Sequence, residues 1–451
     1  MIKRISLNIF PILLLLFVFQ KESLPQKDDS TLVLTLNDAL KISLERNWDV
    51  KISEKDMLKA EEQIDEAYSN AYPRVDFTAS YARNIKLPVM FIPPNNAFNP
   101  SDQTVTFEIG SKNSYSAGIT LSQVIYSQKV NTAIKIADEY AQMSKAGNKA
   151  TKQEISLNVK KTFYTVLLMK QMVNVSRQSY EVAKANYENV SALYKQGVAS
   201  EYDNLRAEVQ MANTQPLLIQ TENNLELTKN ALKNLLGISI KKPIEVKGEF
   251  VFEDIPKNIL EETELTAVAK SPLVHQLSIQ ESLLDKNITI EKSEYYPTLA
   301  LFSQYQWQSQ ENTFRFKDYN WANNLLVGLQ LNYTLFDGFR RGARIEQATI
   351  DKDKVGLARR KLEEGISIQV QQAIMKMDEA KKRITAQEKS LQQADKALKI
   401  SQTRFKSGVG TQLELIDTQA ALTFANTNYA QAIYDYLVAK AEWEYSVSLG
   451  E

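Results

Sequence analysis

An internal duplication is the feature of this sequence that most constrains its fold. Three landmarks recur in the same order: a proline that follows a helical stretch (Pro73 and Pro297), a glycine within an alternating stretch (Gly118 and Gly328), and a glycine between two helical stretches (Gly197 and Gly408). The members of these pairs are 224, 210 and 211 positions apart. The copies therefore agree in spacing, apart from one insertion that the first copy carries between its two alternating stretches. Such an ordered repeat indicates a duplicated structural unit.

The composition excludes several classes of function. Lys and Arg together number 54, as do Asp and Glu, so the chain has no charge excess that would attract nucleic acid. Cysteine is absent, which excludes disulfides, thiolate zinc sites and cysteine nucleophiles. The single histidine, His275, has too few partners for a zinc or nucleophile site. We expect His275 to be a packing or surface residue, and we expect no enzyme activity, metal or cofactor.

The N-terminus has the pattern of a secretory signal. Lys3 and Arg4 precede a short apolar run, Ile9–Phe19, so we predict a signal peptide over residues 1–26, with an uncleaved anchor as the alternative. After residue 20, no apolar run approaches the roughly 18 residues that a membrane-spanning helix needs. If the exported chain crosses a membrane, it must therefore do so with strands.

Periodicity divides the rest of the chain into short strands and very long helices. Alternation of apolar and polar residues predicts four strands, at 74–84, 114–125, 298–307 and 324–336. The segment 85–113, rich in Pro and Asn, is predicted to be a loop. Stretches nearly free of Gly and Pro predict long helices at 130–195, 200–236, 342–406 and 412–448. We divide the chain into a first structural repeat (27–240), a linker or equatorial segment (241–260) and a second repeat (261–451).

These elements favour a membrane channel over a soluble protein. Each predicted strand has the roughly 10 residues that cross a bilayer when tilted. Four strands cannot lie in lipid as an open sheet, because the N–H and C=O groups at its edges would be unsatisfied. Closure by oligomerisation solves this problem, with apolar side chains toward lipid and Ser, Thr, Gln and Asn toward a wet lumen. A soluble hairpin, or an envelope-tethered structural coiled-coil protein without transport activity, is the alternative interpretation.

The chain resembles the TolC-like outer-membrane efflux proteins over about residues 35–450. The resemblance is carried by the junction prolines, by the strands SAGITLSQVIY and LVGLQLNYTLFDG, and by the helix turns YKQGVASEYDNLRAE and FKSGVGTQLELIDTQAAL. It implies a membrane α+β fold, in which a homotrimer with four strands per protomer closes a 12-stranded β-barrel that continues as a long α-helical barrel. It also implies an outer-membrane location, with contact to outer-membrane lipid and the helical tunnel in the periplasm.

The same resemblance implies a passive exit duct of a tripartite efflux pump or a type I secretion system. The implied partners are further copies of the chain, a periplasmic adaptor (membrane fusion) protein, and an inner-membrane RND or ABC-type pump. The sequence has no phosphate-binding glycine loop, so energy must come from a partner. It does not name the cargo, and drugs, metal ions, lipids and proteins all stay open.

Two glycine-valine turns mark the ends of long predicted helices. Gly197 and Gly408 stand where a left-handed residue follows a helix. Two spacings typical of capping boxes begin the next helices: Ser200 with Asp203, and Thr411 with Glu414. The resemblance implies that these turns, together with Val198 and Val409, form the docking surface for the adaptor.

Asp417 lies one turn beyond Glu414 and has no capping role. Its counterpart in the first copy is Arg206. In the family that the chain resembles, acidic and polar residues at this end of the tunnel line a constriction. We therefore hypothesise that Asp417, with Glu414 and Gln412 nearby, forms a periplasmic gate ring repeated by symmetry, and that pairing of Arg206 with Asp417 helps to close it. The alternative is a solvated surface pair worth about 0–1 kcal/mol.

Overall fold

The computed structural model describes residues 31–448, and the predicted signal peptide lies outside this range. The helices are α1 (Leu36–Arg46), α2 (Trp48–Ser69), α3 (Gln128–Lys195), α4 (Glu201–Leu235), α5 (Lys257–Lys270), α6 (Pro272–Ser293), α7 (Arg340–Lys406) and α8 (Gln412–Ser446). The strands are β1 (Leu32–Leu34), β2 (Arg74–Arg83), β3 (Val89–Ile92), β4 (Val105–Glu108), β5 (Asn113–Tyr126), β6 (Ile244–Val246), β7 (Thr298–Glu311) and β8 (Ala322–Asn332).

Two helices of similar length, α3 with 68 residues and α7 with 67, set the dimensions of the protomer. At 1.5 Å per residue, each is about 100 Å long. Buried residues in the middle of α7 follow a heptad spacing: Ile366, Val370, Ala373, Met377, Ala380 and Ile384. The apolar surface of α7 is therefore a narrow seam, as in a coiled coil. None of the helices within residues 31–448 is both long and apolar enough to cross a membrane.

The helices pack in two rows of four, and the long helices α3 and α7 belong to both rows. In the row next to the sheet, α3 packs against α2 and α6, and α6 packs against α7. In the other row, α3 packs against α4 and α8, and α8 packs against α7. The orders are therefore α2-α3-α6-α7 and α4-α3-α8-α7. In both rows α7 forms one side, and α2 or α4 forms the other.

Strands β2, β5, β7 and β8 form one antiparallel sheet in that order. The edge strands β2 and β8 have no second strand partner among residues 31–448. Since β2 follows α2 and β8 leads into α7, the two open edges of the sheet lie above the two open sides of the helical rows. A single protomer therefore has two unpaired sides: one is formed by β2 with α2 and α4, and the other by β8 with α7.

The strand register makes the two faces of the sheet different. One row of direct partners across the four strands is apolar: Phe77, Ile119, Tyr305 and Leu325. The next row is polar apart from its glycine: Thr78, Gly118, Gln306 and Asn324. Because successive side chains of a strand point to opposite faces, one face is apolar and the other carries mainly hydroxyl and amide groups, as the alternation predicts.

The structure corrects two predicted strand ends. Strand β7 continues to Glu311, four residues beyond its predicted end at 307. The sequence pattern extends the last strand to residue 336, but β8 ends at Asn332, which pairs with Thr298 at the start of β7. Pro297 comes next on the partner strand and has no N–H to donate, so the ladder stops there. Pro73 lies at the matching position in the first copy, directly before β2.

Two segments predicted to be irregular contain strands. The predicted loop 85–113 includes the short hairpin β3–β4, whose four-residue strands are paired from Val89↔Glu108 to Ile92↔Val105. The predicted linker 241–260 includes β6, which pairs in parallel with β1. Ile244 and Val246 of β6 are buried in a core with helices α1 and α3. The segment therefore helps to form the core rather than only joining the two copies.

Ion pairs connect three of the helices near the end of α8. Glu442 on α8 accepts from Lys161 on α3 (2.7 Å) and from Lys376 on α7 (3.0 Å). Burial by itself would raise the pKa of Glu442, but the hydrogen bonds from the two lysines outweigh it and hold the pKa below its usual value. The ionised Glu442 therefore connects α3 of the first structural repeat with α7 and α8 of the second.

A buried ion pair fixes the junction between β8 and α7. Arg341 Nε donates to Asp337 Oδ2 (3.0 Å), and both side chains are 8% exposed. The Arg341 guanidinium also donates to the carbonyl oxygen of Glu294 (3.1 Å) and lies 4.5 Å from the centre of the Tyr295 ring. This contact joins the end of α6 to the start of α7. The sequence pattern does not predict this contact, because the run DGFRRGAR occurs only in the second copy and is not part of the repeat.

Replacing Arg341 by alanine should destabilise the protein by about 3–5 kcal/mol, because the buried Asp337 carboxylate would lose its closest cation and keep only Arg340, at 3.9 Å. Arg344 is the matched control, since its side chain is 45% exposed and pairs with Glu294 at 3.2 Å. Arg344→Ala should cost about 0–1 kcal/mol. Guanidinium unfolding of the purified protein in detergent measures both, and equal midpoints for the two variants would contradict the role assigned to Arg341.

Candidate functional site at the helix-turn tips

The turn after α3 is a Schellman motif. Gly197 has a φ of +75°, in the left-handed region that favours glycine. Its N–H donates to Tyr194 O (2.9 Å), and the Val198 N–H donates to Leu193 O (2.9 Å). These two bonds satisfy carbonyl groups that the end of a helix otherwise leaves free.

The turn after α7 has the same backbone. Gly408 has a φ of +77°, and its N–H donates to Phe405 O (3.1 Å). The Val409 N–H donates to Arg404 O (3.1 Å). The duplication is therefore preserved at the level of single hydrogen bonds, and the left-handed glycines predicted from the sequence are present at both turns.

The helix starts that follow are capped by hydroxyl groups. Ser200 Oγ accepts from the Asp203 N–H (3.1 Å), and Thr411 Oγ1 accepts from the Glu414 N–H (3.2 Å). The return bonds of a full capping box are not formed in this part of the described chain. Instead the Asp203 carboxylate accepts from Ser200 Oγ (2.6 Å), and Glu414 Oε2 lies 3.4 Å from Arg404 Nε. The prediction is correct for the hydroxyls and wrong for the carboxylates.

Both turns expose an apolar side chain at the far end of the protomer. Val198 is 71% exposed and Val409 is 70% exposed. The residue at this position of a Schellman motif commonly packs on the preceding helix turn, so two exposed valines at equivalent places are unusual. They form an apolar surface that is available to a partner.

The structure separates the two residues of the predicted gate pair. Asp417 is exposed on α8, and Arg206 is half-buried on α4. Because α3 lies between α4 and α8, the two side chains do not meet within one protomer, and neither forms an ion pair or hydrogen bond with another residue of 31–448. Their pairing stays a prediction, and it concerns contacts between copies.

Gln412 lies elsewhere than the gate hypothesis requires. Its side chain is 7% exposed, and neither its Oε1 nor its Nε2 atom has a hydrogen-bond partner in the described part of the chain. A side chain buried within the protomer cannot line a tunnel, so we remove Gln412 from the ring. Nearby, Ser401 on α7 and Thr418 on α8 share a hydrogen bond of 2.6 Å. The α7–α8 seam near the tip is therefore partly polar.

The single histidine, His275, lies away from the helix-turn tips. His275 is exposed at the start of α6, as expected for a surface residue. Across residues 31–448, no group of three or more His, Cys, Asp or Glu residues could hold a metal ion.

Comparison with known proteins identifies the family of this chain. The sequence profile described as "outer membrane efflux protein" matches residues 39–238 and 266–442, which is most of the chain. The chain belongs to the outer membrane efflux protein family. Among curated relatives, the outer membrane protein TolC of Vibrio cholerae is 20% identical over 359 residues, covering 79% of this chain and 81% of that protein. The alkaline protease secretion protein AprF of Pseudomonas aeruginosa is 21% identical over 345 residues, covering 73% and 68%.

Solved structures of outer membrane channels have the same fold. The crystal structure of the Campylobacter jejuni CmeC outer membrane channel matches with a TM-score of 0.73 at 16% identity, covering 92% of this chain and 86% of that one. The TolC-type fold predicted from the sequence is thereby confirmed. The protein is an outer-membrane efflux protein that acts as an exit duct of an efflux or secretion system, and its helices extend into the periplasm. The family consists of channel proteins rather than enzymes.

Gly408→Ala should destabilise the periplasmic turn by about 1–2 kcal/mol, because alanine resists a left-handed conformation. Gly365, inside α7, is a control whose expected effect has the opposite sign: apart from the neighbouring residues and backbone of α7 itself, no described atom lies within 4 Å of the Cβ position there. Gly365→Ala should stabilise its helix by about 0.5–1 kcal/mol, since glycine weakens a helix interior. Amide hydrogen exchange should become faster at residues 404–411 in the first variant and slower around residue 365 in the second. A change of the same sign at both sites would contradict the assignment.

Proposed function

We propose that three copies of this efflux protein form a homotrimeric duct. The observation that carries the proposal is the pair of open edges at β2 and β8. In hydrocarbon, the N–H and C=O groups of these edges would have no partners, at a cost of several kcal/mol for each group. Pairing of β2 in one copy with β8 in the next removes every edge, and three copies then close a 12-stranded barrel.

The helical rows support the same assembly. Exposed apolar side chains occur on both of their open sides: Tyr202, Leu205 and Val209 on α4, and Leu357, Ile368 and Met375 on α7. Contact between the α4 side of one copy and the α7 side of the next would bury these side chains, which is favourable by about 25 cal/mol per Å² of apolar area. The barrel would then continue as a helical tunnel.

We assign the polar face of the sheet to the lumen and the apolar face to lipid. The lumen side of β7 carries amide groups, at Gln304, Gln306 and Gln308. The charged pair Arg74 and Asp76 lies at the periplasmic end of β2, and the two side chains neutralise each other at 2.9 Å. A wall of uncharged amides and hydroxyls has no strong preference for cargo of either charge. This suits a passive duct whose energy and selectivity come from an RND or ABC-type pump.

We assign the helix-turn tips to the periplasmic adaptor. Val198 and Val409 offer the adaptor apolar contacts on rigid, hydrogen-bonded turns, and rigid exposed side chains lose little entropy on binding. The glycine turns, with their capping residues Ser200 and Thr411, hold these valines in place. The adaptor would connect the tips to the inner-membrane pump.

We assign Asp417 to a ring of carboxylates at the periplasmic end of the tunnel. It is exposed and has no partner within residues 31–448, whereas the nearby Glu414 is held by Arg404. In a trimer, three copies of Asp417 would give a concentrated negative charge that attracts cations. We propose Arg206 of a neighbouring copy as its partner in the closed state; since α7 lies between α8 and the neighbour's α4 in this assembly, the two side chains would meet on the lumen side of α7.

The purified protein should migrate as a heat-sensitive trimer and should form pores in planar bilayers. Asp417→Ala should raise the single-channel conductance about twofold, because the proposed closing pair with Arg206 is lost. It should also weaken block by divalent cations about tenfold, because the three carboxylates that attract them are removed. Asp395→Ala is the control, since Asp395 is paired with Lys399 (2.6 Å) on α7 away from the tip. Wild-type conductance and block in Asp417→Ala would contradict the ring. A soluble monomer without pores would contradict the duct.

Val198→Asp combined with Val409→Asp should abolish co-purification of a periplasmic adaptor from native envelopes, because buried carboxylates are costly at an apolar interface. The trimer and its conductance should not change, since both valines are exposed in the protomer. Ser390→Asp, an exposed position of α7 above the tip, is the control. Retention of the adaptor by the double variant would show that docking occurs elsewhere.

A further inference from the structure

The insertion in the first copy forms a hairpin that stands beyond the barrel. Pairing of β2 with β5 ends at Arg83↔Asn113, but the Asn84 N–H still donates to Lys112 O (2.8 Å), and pairing resumes at Val89↔Glu108. We call residues 84–112 the outer hairpin. It extends the β2–β5 ladder at the end opposite to α2 and α3, which is the extracellular end in this family. The corresponding connection between β7 and β8 contains only residues 312–321.

The outer hairpin exposes more large apolar side chains than a two-stranded hairpin in water should. Ile85 is 94% exposed, Phe98 is 89% exposed, and Phe91 and Phe107 are each more than 60% exposed. Strands β3 and β4 pair only with each other within residues 31–448. Isolated two-stranded hairpins are at best marginally stable. Some further surface must therefore cover this one.

The tip of the outer hairpin is held rigid by asparagine side chains. Asn99 is 4% exposed, and its Nδ2 donates to Gln103 O (2.7 Å) and Ile92 O (3.1 Å). Asn96 Oδ1 accepts from the N–H groups of Phe98 (2.9 Å) and Asn99 (3.0 Å). These bonds fix the loop while leaving Phe98 exposed. The loop is thus preorganised to present an aromatic side chain, which lowers the entropy cost of a contact.

Lipid does not fit as the covering surface. A hairpin in hydrocarbon would leave the outer N–H and C=O groups of β3 and β4 unsatisfied. Arg83 and Ile92 are nine positions apart, which corresponds to at most about 30 Å at 3.3 Å per residue, so the tip lies beyond the end of the β2–β5 ladder. The polar tip, with its asparagines, Ser101 and Asp102, belongs in water. A protein surface is needed.

The position of the hairpin favours other copies of the same chain. It continues β2, which is the edge strand at the subunit seam of the proposed trimer, so this inference depends on that trimer. Twelve strands about 4.8 Å apart and tilted by about 40° enclose a barrel of about 24 Å diameter. The hairpin reaches further than the barrel radius. Three hairpins tethered to one rim are at an effective concentration of the millimolar order relative to each other.

We propose that the three outer hairpins fold toward the barrel axis and pack on one another through Phe98 and its apolar neighbours. The contact covers the extracellular mouth of the duct. Closure at this end is separate from the Asp417 ring, because the two sites lie at opposite ends of the protomer. A duct with both contacts would be closed at its periplasmic end and at its extracellular end. Cargo would have to separate the three outer hairpins in order to leave.

The chain has no cysteine, so an introduced cysteine can report the contact. Position 97 is exposed, and Ala97→Cys leaves Phe98 intact. Lys317→Cys is the matched control, since Lys317 is exposed in the loop between β7 and β8. After mild oxidation of the trimer in detergent, Ala97→Cys should give covalent dimers on a denaturing non-reducing gel, at least tenfold more than Lys317→Cys. Adding Phe98→Asp to Ala97→Cys should reduce this yield at least fivefold, because three carboxylates then repel at the axis.

The outcomes separate this inference from the proposed trimer. A heat-sensitive, pore-forming trimer of Ala97→Cys without crosslinked dimers would overturn the hairpin contact and leave the duct intact; the hairpins would then be free for another protein. Crosslinking that Phe98→Asp does not reduce would overturn the role of Phe98. A monomer without pores would overturn the duct itself.

Discussion

The open edges of the four-stranded sheet are the constraint on which the rest of the structure depends. Strands β2 and β8 cannot remain unpaired in hydrocarbon, where nothing replaces the lost hydrogen bonds. Because α2 precedes β2 and α7 follows β8, closing the sheet also brings together the open sides of both helical rows. In the proposed trimer, the alternating faces of the strands would separate lipid from a water-filled lumen, and the helical rows would form a continuous wall between the periplasm and the tunnel.

The sequence predicted the elements in which one period dominates. The long helices were predicted from stretches nearly free of Gly and Pro, and β5 and β7 from an alternation that is repeated many times, so single exceptions do not hide these elements. Predictions were wrong where a distant segment decides the outcome. The end of β8 is set by Pro297 across the ladder. Strand β6 exists because β1 is beside it, and the short strands of the outer hairpin are separated by a loop rich in proline.

The candidate site shows the same division between local and distant causes. The left-handed glycines and the hydroxyl caps follow local rules, and both are found at Gly197, Gly408, Ser200 and Thr411. Burial of Gln412 depends on how α8 packs against its neighbours, which the sequence pattern alone does not reveal. Arg404 competes for the Glu414 carboxylate, and this competition is visible only in three dimensions. The Arg341–Asp337 pair is specific to the second copy, so a search for repeated features passes over it.

The near-equal lengths of α3 and α7 have a geometric consequence at the periplasmic end. The two helices start beside the same sheet and differ by one residue, or about 1.5 Å. Near-equal lengths would bring their Schellman turns to similar heights. A threefold assembly would present six turns with nearly identical backbones in one plane, so a partner would meet sixfold symmetry in the main chain and only threefold symmetry in the side chains. Leu193 against Arg404, and Arg206 against Asp417, are the differences by which it could tell the two kinds of turn apart.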